Sequence, residues 1–257
     1  MGAGLESYKT RPSLACVAPR TEPKRRPFEF WLSGRQSGPV PSLTPLGWET
    51  KEGRRLDSDL AESISALKNA FESRQVPARF GKAEPAVVEA LRSALRVPRR
   101  YREFLLAMDP LDVETRTPSE RVRLIPSGRL LEEQRGYALL ETGEPRRGPA
   151  ANGWRGSWVL IGHSTLLGDP YFLDVSSPDA EGDCPVYTAM SGTEQWKPKL
   201  CASSFAMFLR ILAVSMEVAR GFAEEGLDMD DEQLFRESLG PKIRQYDPAA
   251  VKAGHWT

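Results

Sequence analysis

The stretch SWVLIGHSTLLGDPYFLDV, residues 157–175, decides how this chain is read. Two short runs rich in β-branched and aromatic residues, SWVLIG (157–162) and YFLDV (171–175), flank the turn-forming Gly168-Asp169-Pro170. Glycine supplies unusual backbone angles, aspartate bonds nearby N–H groups, and proline cannot continue a ladder, so strands on either side of such a triplet stop there. Working outward, RVRLI (121–125) precedes the pair and CPVYTA (184–189) follows it, with Ser176-Ser177-Pro178 and Gly182-Asp183 as further turn signals. These short strands predict a central sheet, mostly antiparallel or mixed.

On both sides the apolar period changes from about two to about 3.6. In DSDLAESISALKNAF (57–71), Leu60, Ile64, Leu67 and Phe71 recur at helical spacing and form one apolar stripe. A second helix is predicted over Pro85–Leu95, with Val88, Leu91 and Leu95 on one face. A third begins at Pro98, buries Tyr101, Phe104, Leu105 and Met108, and is ended by Pro110. SGRLLEEQRGYALLE (127–141) reads as a helix between the first two strands, and a long helix runs from about Ser204 to Ala223. A last helix, DDEQLFRESL (230–239), is expected to stop at Gly240-Pro241, with a loose tail to Thr257. Helices, then strands, then helices predict an α+β fold whose sheet is packed by helices. The expected divisions are an irregular Pro- and Gly-rich extension at 1–56, an α+β domain at 57–223, and an acidic helix and tail at 224–257. Within the extension, FEFWL (28–32) has strand character and Trp48 is a candidate for docking on the main body.

Composition bounds the function. The 257 residues include 35 basic and 35 acidic side chains, so net charge is zero, which argues against a dedicated nucleic-acid binder. The basic cluster Lys24-Arg25-Arg26 is diluted by Glu22 and Glu29 and reads as a solvated arm. Cys16, Cys184 and Cys201 are an odd, scattered set without a CxxC pair, which fits a reducing cytoplasm. The start MGAGLESYKT has no signal-peptide run, and the most apolar stretch, Phe205 to Met216, is too short for a bilayer and contains Arg210. The expectation is a cytoplasmic protein with no membrane partner.

No strong catalytic constellation is present. GHSTL (162–166) lacks the second glycine of a nucleophile elbow, so His163 and Ser164 read as a loop-edge histidine and a capping serine. A hydrolase built around His163, Ser164 and Asp174 is the enzymatic alternative. With His163 and His255 as the only histidines, no zinc spacing occurs. The run EEGLDMDDE (224–232) lacks the glycine and final glutamate of a calcium loop. Neither glycine pattern of nucleotide-binding loops occurs. No cofactor or metal is expected.

The stretch from about Pro85 to Leu212 resembles the SUKH superfamily, which includes a fungal cell-wall-synthesis regulator and bacterial, viral and eukaryotic relatives. VPRRYREFLLAMDP (97–110) resembles its opening segment through Val97, Pro98, Tyr101, Phe104 and Leu105. GWRGSWVLIG (153–162) resembles its Trp-containing entry to a central strand through Trp154, Trp158, Ile161 and Gly162. GDPYFLDV resembles the next strand through Gly168, Asp169 and Asp174; Pro185–Tyr187 matches the following one. ASSFAMFL (202–209) resembles the opening of the closing helix through Ser204, Phe205, Phe208 and Leu209. Met108-Asp109-Pro110 departs from the family's usual Asn-Gly-Gly-like turn.

The resemblance implies a protein that acts by binding, without catalysis. Bacterial members are most often immunity proteins that neutralise a cognate secreted toxin by forming a complex; a regulatory scaffold of the fungal kind is the alternative. The first reading needs a preformed surface, and the candidate contacts are residues that folding least needs. They are Arg155 in the loop between Trp154 and Trp158, then Asp179, Glu181 and Asp183 in the SSPDAEGD loop (176–183), and Glu194 on the next loop. Trp154 is read either as a partly exposed hot spot or as core. The three acids would suit a basic toxin, as a nuclease would be.

Overall fold

Leu60, Ile64, Leu67 and Phe71 bury along one side of α1 (Ser58–Arg74), as their spacing predicts, and that side packs on α5 (Phe205–Val218). The computed structural model describes residues 58–222 and 229–257. The expected extension at 1–56, with its FEFWL strand and Trp48, lies outside the described residues, as do residues 224–228 of the acidic run. After α1 come β1 (Arg79–Gly81), α2 (Pro85–Leu95), α3 (Arg99–Ala107), β2 (Asp109–Asp112), β3 (Val122–Leu124) and α4 (Ser127–Glu133). Then follow β4 (Trp158–Ser164), β5 (Pro170–Asp174), β6 (Val186–Thr188), β7 (Lys199–Ala202), α5, a 3-10 turn at Ala219–Gly221, α6 (Met229–Arg244) and α7 (Pro248–Ala253).

The fold is α+β. β3 to β7 form a five-stranded sheet in sequence order, every neighbouring pair antiparallel, and β1 pairs with β2 in a separate two-stranded ribbon. The five-residue link between β4 and β5 fits their antiparallel pairing, because a tight turn can join only antiparallel neighbours, whereas β3 reaches β4 through a long connection that carries α4. The β4–β5 turn falls at Gly168, whose φ of +73° is the left-handed conformation glycine adopts without a steric penalty.

β4 is buried on both faces, and its register with β5 shifts between Leu160 and Gly162. At this bulge β3 has already ended at Leu124, so β4 needs other partners. The fully buried Gln134 amide supplies them: its Nε2 donates to the Leu160 carbonyl at 2.8 Å, and its Oε1 accepts from the Leu160 N–H at 3.0 Å. Two residues earlier, the Trp154 indole N–H donates to the Trp158 carbonyl at 3.1 Å. Side chains from the α4–β4 connection thus do the work of a missing strand, satisfying backbone groups that burial would otherwise leave orphaned.

Four expectations are corrected. The helix expected over 127–141 ends at Glu133; the chain turns at Gly136 (φ +80°), which sends Ala138 and Leu139 into the core. β1, β2 and β7 were not read from the sequence because RFG, DPLD and KLCA are only three or four residues long, too short to show a period. α6 does not stop at Gly240-Pro241 but continues to Arg244. Proline there forfeits one helical hydrogen bond, while Phe235, Leu239 and Ile243, all fully buried, hold the helix on the core. The tail is not loose: Ala250, Val251 and Trp256 join the same hydrophobic cluster, and the Trp256 indole donates to the Cys201 carbonyl at 2.7 Å.

Candidate partner-binding face

The acidic loop between β5 and β6 is built around Asp179. Its Oδ1 accepts from the N–H groups of Glu181 (2.9 Å) and Asp183 (2.8 Å), while its own N–H donates to the Asp183 carbonyl at 2.9 Å. This is aspartate turn chemistry closing on itself. Gly182 takes φ +69°, and a Cβ there would stand 2.9 Å from the Arg99 Cβ, so both conformation and space require glycine. The loop is clamped to α3: Arg100 N–H donates to the Gly182 carbonyl at 3.1 Å, its Nη2 donates to Glu181 Oε2 at 2.8 Å, and Arg99 donates to the Glu181 carbonyl.

Asp183 has a different role from its neighbours. It is 0% exposed, and its carboxylate accepts from Cys184 N–H (2.7 Å), Phe205 N–H (2.9 Å) and Ala206 N–H (3.2 Å) at the start of α5. An anion at a helix N-terminus meets the positive end of its dipole and its unpaired donors. Asp183 is therefore a structural capping group, and its expected place among surface contacts is corrected. Burial first, then the charges of Asp183, Asp174 and Asp179, push the Cys184 thiol up to about 12, so it is protonated at neutral pH. Asp179 and Glu181 remain exposed, on a loop that needs no reordering to present them.

Trp154 is corrected as well. It is 0% exposed, with ring centroids 4.7 Å from Tyr137, 4.8 Å from Phe172 and 5.5 Å from both Trp158 and Trp196. Its indole completes β4, so it is core. Arg155 is exposed, and its guanidinium lies 5.3 Å from the Trp158 ring centroid, a cation–π arrangement. It lines a groove of about 840 Å³ together with Leu95, Arg96, Arg146, Arg147 and Val175, and the same groove reaches Ser176, where the acidic loop begins. Arg155 and that loop therefore belong to one continuous face.

Glu194 lies elsewhere. It lines a separate hollow of about 750 Å³ with Lys197, Lys199 and His255. The β6–β7 loop that carries it is tied to the β4–β5 turn: Ser191 N–H donates to Asp169 Oδ1 at 2.7 Å, and Ser191 Oγ donates to the Leu167 carbonyl at 2.8 Å. Leu166, Leu167 and Met190 are exposed on these two loops.

The family model that matches this sequence is that of the SMI1 / KNR4 family (SUKH-1), over residues 82–211. The chain belongs to that family. No curated protein matches it. In SUKH-1 terms, the residues that carried the resemblance are those that build the fold. Tyr101 and Phe104 meet Phe205 edge-on, each at 4.9 Å. Ser204 caps α5 by accepting from Met207 N–H at 3.2 Å, and Asp174 accepts from the Trp158 indole at 3.3 Å. The matched segments thus specify the scaffold, and the exposed carboxylates and arginines lie on loops between them.

Within this SUKH-1 domain the hydrolase alternative finds no constellation. His163 and Ser164 are successive residues of β4 and point to opposite faces. His163 Nε2 lies 3.5 Å from Glu133, whereas Ser164 Oγ accepts from Leu167 N–H at 3.0 Å. Asp174 pairs with Trp158 at the far end of the strand pair from His163, which faces Pro170. Among the described residues, no three His, Cys, Asp or Glu side chains are placed to hold a metal ion, and no helix is long and apolar enough to cross a membrane.

Sequence reasoning missed Arg96, Arg146 and Arg147. The Arg146-Arg147 pair was visible as a basic dipeptide between glycine and proline. Arg96 gave no signal, because it occupies the left-handed end of α2, where glycine is the usual residue.

Proposed function

We propose that the chain is an immunity protein: it binds a cognate secreted bacterial toxin in a one-to-one complex, in the cytoplasm, and silences it without catalysing a reaction. The observation that carries this reading is the preformed acidic loop, in which Asp179 and Glu181 are exposed while every turn of the backbone beneath them is held by Asp179, Asp183, Arg99 and Arg100. A rigid loop loses little entropy on binding, so charge complementarity with a basic toxin surface is converted into affinity and on-rate. Membership of SUKH-1 supports the reading, because bacterial proteins of the superfamily are most often immunity proteins. An interface of ordinary size, ~800 Å² per partner, is larger than the loop alone and would include Arg155 and its groove.

The test is co-expression with the product of the neighbouring reading frame. A stable one-to-one complex on size exclusion, together with loss of that product's toxicity, is the expected result. Several weak partners and no protection would replace this reading with a regulatory scaffold.

A further inference from the structure

Three exposed arginines, Arg96, Arg147 and Arg155, line the groove described above, and no carboxylate lines it with them. Among the described residues none of the three has an acidic partner. Several other arginines do sit against a carboxylate: Arg92 with Glu89, Arg123 with Glu114, Arg129 with Glu133 and Arg236 with Glu232. The groove is therefore a positive feature on a chain whose net charge is zero.

Its arginines are also held in place. Arg96 ends α2 at φ +55°, a conformation that is unfavourable for a residue with a Cβ and persists where surroundings impose it. Arg155 stacks over Trp158, which restricts a long side chain before anything binds. The loop of Arg147 is pinned through its neighbour: Arg146 donates to the Tyr137 carbonyl at 2.7 Å and to the Gly136 carbonyl at 3.2 Å. A Cβ on Gly156 would stand 2.1 Å from the Arg146 carbonyl oxygen, so the 146–147 loop and the residues after Arg155 are in backbone contact that only glycine permits. Leu95, Ala138 and Val175 give the groove an apolar floor, which lowers the local dielectric and strengthens charge-assisted hydrogen bonds.

We propose that this groove seats an acidic peptide segment of a protein partner, with the guanidinium groups of Arg96, Arg147 and Arg155 receiving its carboxylates. Planar guanidinium matches carboxylate geometry with paired N–H donors. The observations favour peptide over nucleic acid: no aromatic ring lines the groove to stack a base, and a volume of about 840 Å³ suits a short segment, not a duplex. The proposal rests on the reading that this face meets a protein, and it adds the chemistry of what enters the groove. With Asp179 and Glu181 beside it, the face carries both signs of charge, which fixes the orientation of a partner of opposite pattern.

The test measures binding of a fluorescein-labelled hexaglutamate peptide to the full chain by anisotropy, first at low salt and then at physiological salt. Binding should weaken with salt, and Arg96→Glu/Arg155→Glu should weaken it by at least about tenfold, equivalent to about 1.4 kcal/mol. Lys242→Glu/Lys252→Glu, the same charge change on exposed positions of α6 and α7, should leave it unchanged. Arg96→Gly guards against a folding artefact: glycine suits the left-handed position, so the melting temperature should hold or rise while peptide affinity falls. Absence of binding at low salt, equal losses in the groove and control variants, or tighter binding of an oligothymidylate of equal charge that the groove variants abolish would each overturn the proposal. Because no toxin enters this assay, its failure leaves the co-expression result to be judged separately.

Discussion

The Asp183 carboxylate lies 3.5 Å from the Arg100 guanidinium, and both side chains are almost fully removed from solvent. The pair joins the acidic loop to the starts of both α3 and α5. Asp183→Ala should destabilise the chain by about 3–5 kcal/mol, because it takes the buried carboxylate from the Arg100 guanidinium, leaving it the exposed Glu181, and strips acceptors from the Phe205 and Ala206 N–H groups. Urea unfolding measures it. A loss below about 1 kcal/mol would mean that the site hydrates easily and that Asp183 is a surface residue after all.

Asp179 and Glu181 require a gentler probe, since Asp179 also holds the loop. Asp179→Asn/Glu181→Gln keeps the acceptor oxygens and removes both charges. The urea midpoint should move little, while association with the neighbouring gene's product should slow and lose much of its salt dependence. Stopped-flow association at two salt concentrations reads this directly. An unchanged on-rate moves the contact to the Glu194 loop, with its exposed Met190.

Gly156→Ala tests the backbone contact beneath the arginine groove. A Cβ at 2.1 Å from the Arg146 oxygen cannot be accommodated, so the two loops must part and stability should fall by about 2 kcal/mol or more. Gly148→Ala, on the same loop with open space around it, is the control and should be near neutral. Thermal melts of the two variants should separate clearly.

How much of this was legible in the sequence follows from what each residue answers to. Leu60, Ile64, Leu67 and Phe71 were readable because a helix buries every third or fourth side chain whatever it packs against. The β4–β5 pair was readable because Gly168-Asp169-Pro170 is local turn chemistry. β1, β2 and β7 were not, since three or four residues leave no room for a period and their pairing comes from distant neighbours. The same distinction divides the candidate site. Asp179, Glu181 and Arg155 are exposed, as loop residues usually are. Asp183 looked equivalent to them, and Trp154 stayed open between hot spot and core, until the fold placed one under α5 and the other against β4. That difference is tertiary and has no signature within a few residues of either side chain.

The C-terminal segment was the largest misreading, and Trp256 measures it. Its ring is 3% exposed and its indole N–H donates to the Cys201 carbonyl of β7. Trp256→Ala should cost about 3–5 kcal/mol through lost packing and the resulting cavity. Tryptophan fluorescence during urea unfolding would report it. A loose tail would give less than about 0.5 kcal/mol, the usual effect of a surface substitution.

His255, beside Trp256, makes stability depend on pH. Its Nε2 lies 3.0 Å from the Tyr171 hydroxyl, which donates to Glu120 Oε2 at 2.9 Å. Burial above all, then the charges of Lys199 and Arg236, depress the His255 pKa to about 3. The unfolded chain protonates this imidazole near its ordinary 6.5, so between those two values the unfolded state binds one more proton than the folded state. Stability from this group is therefore complete above pH 6.5 and lost as pH falls towards 3, at up to about 1.4 kcal/mol per pH unit. Glu120 acts in the opposite sense: burial raises its pKa, so the folded state takes up its proton earlier on acidification and that effect favours folding. Comparing the wild type with His255→Gln isolates the histidine, because Glu120 is present in both. The stability gap between the two proteins should change steadily from pH 6.5 downward, with the wild type losing more. A gap constant with pH would mean that His255 is protonated equally easily in both states, and the enclosure of the Glu120–Tyr171–His255 chain would then be wrong.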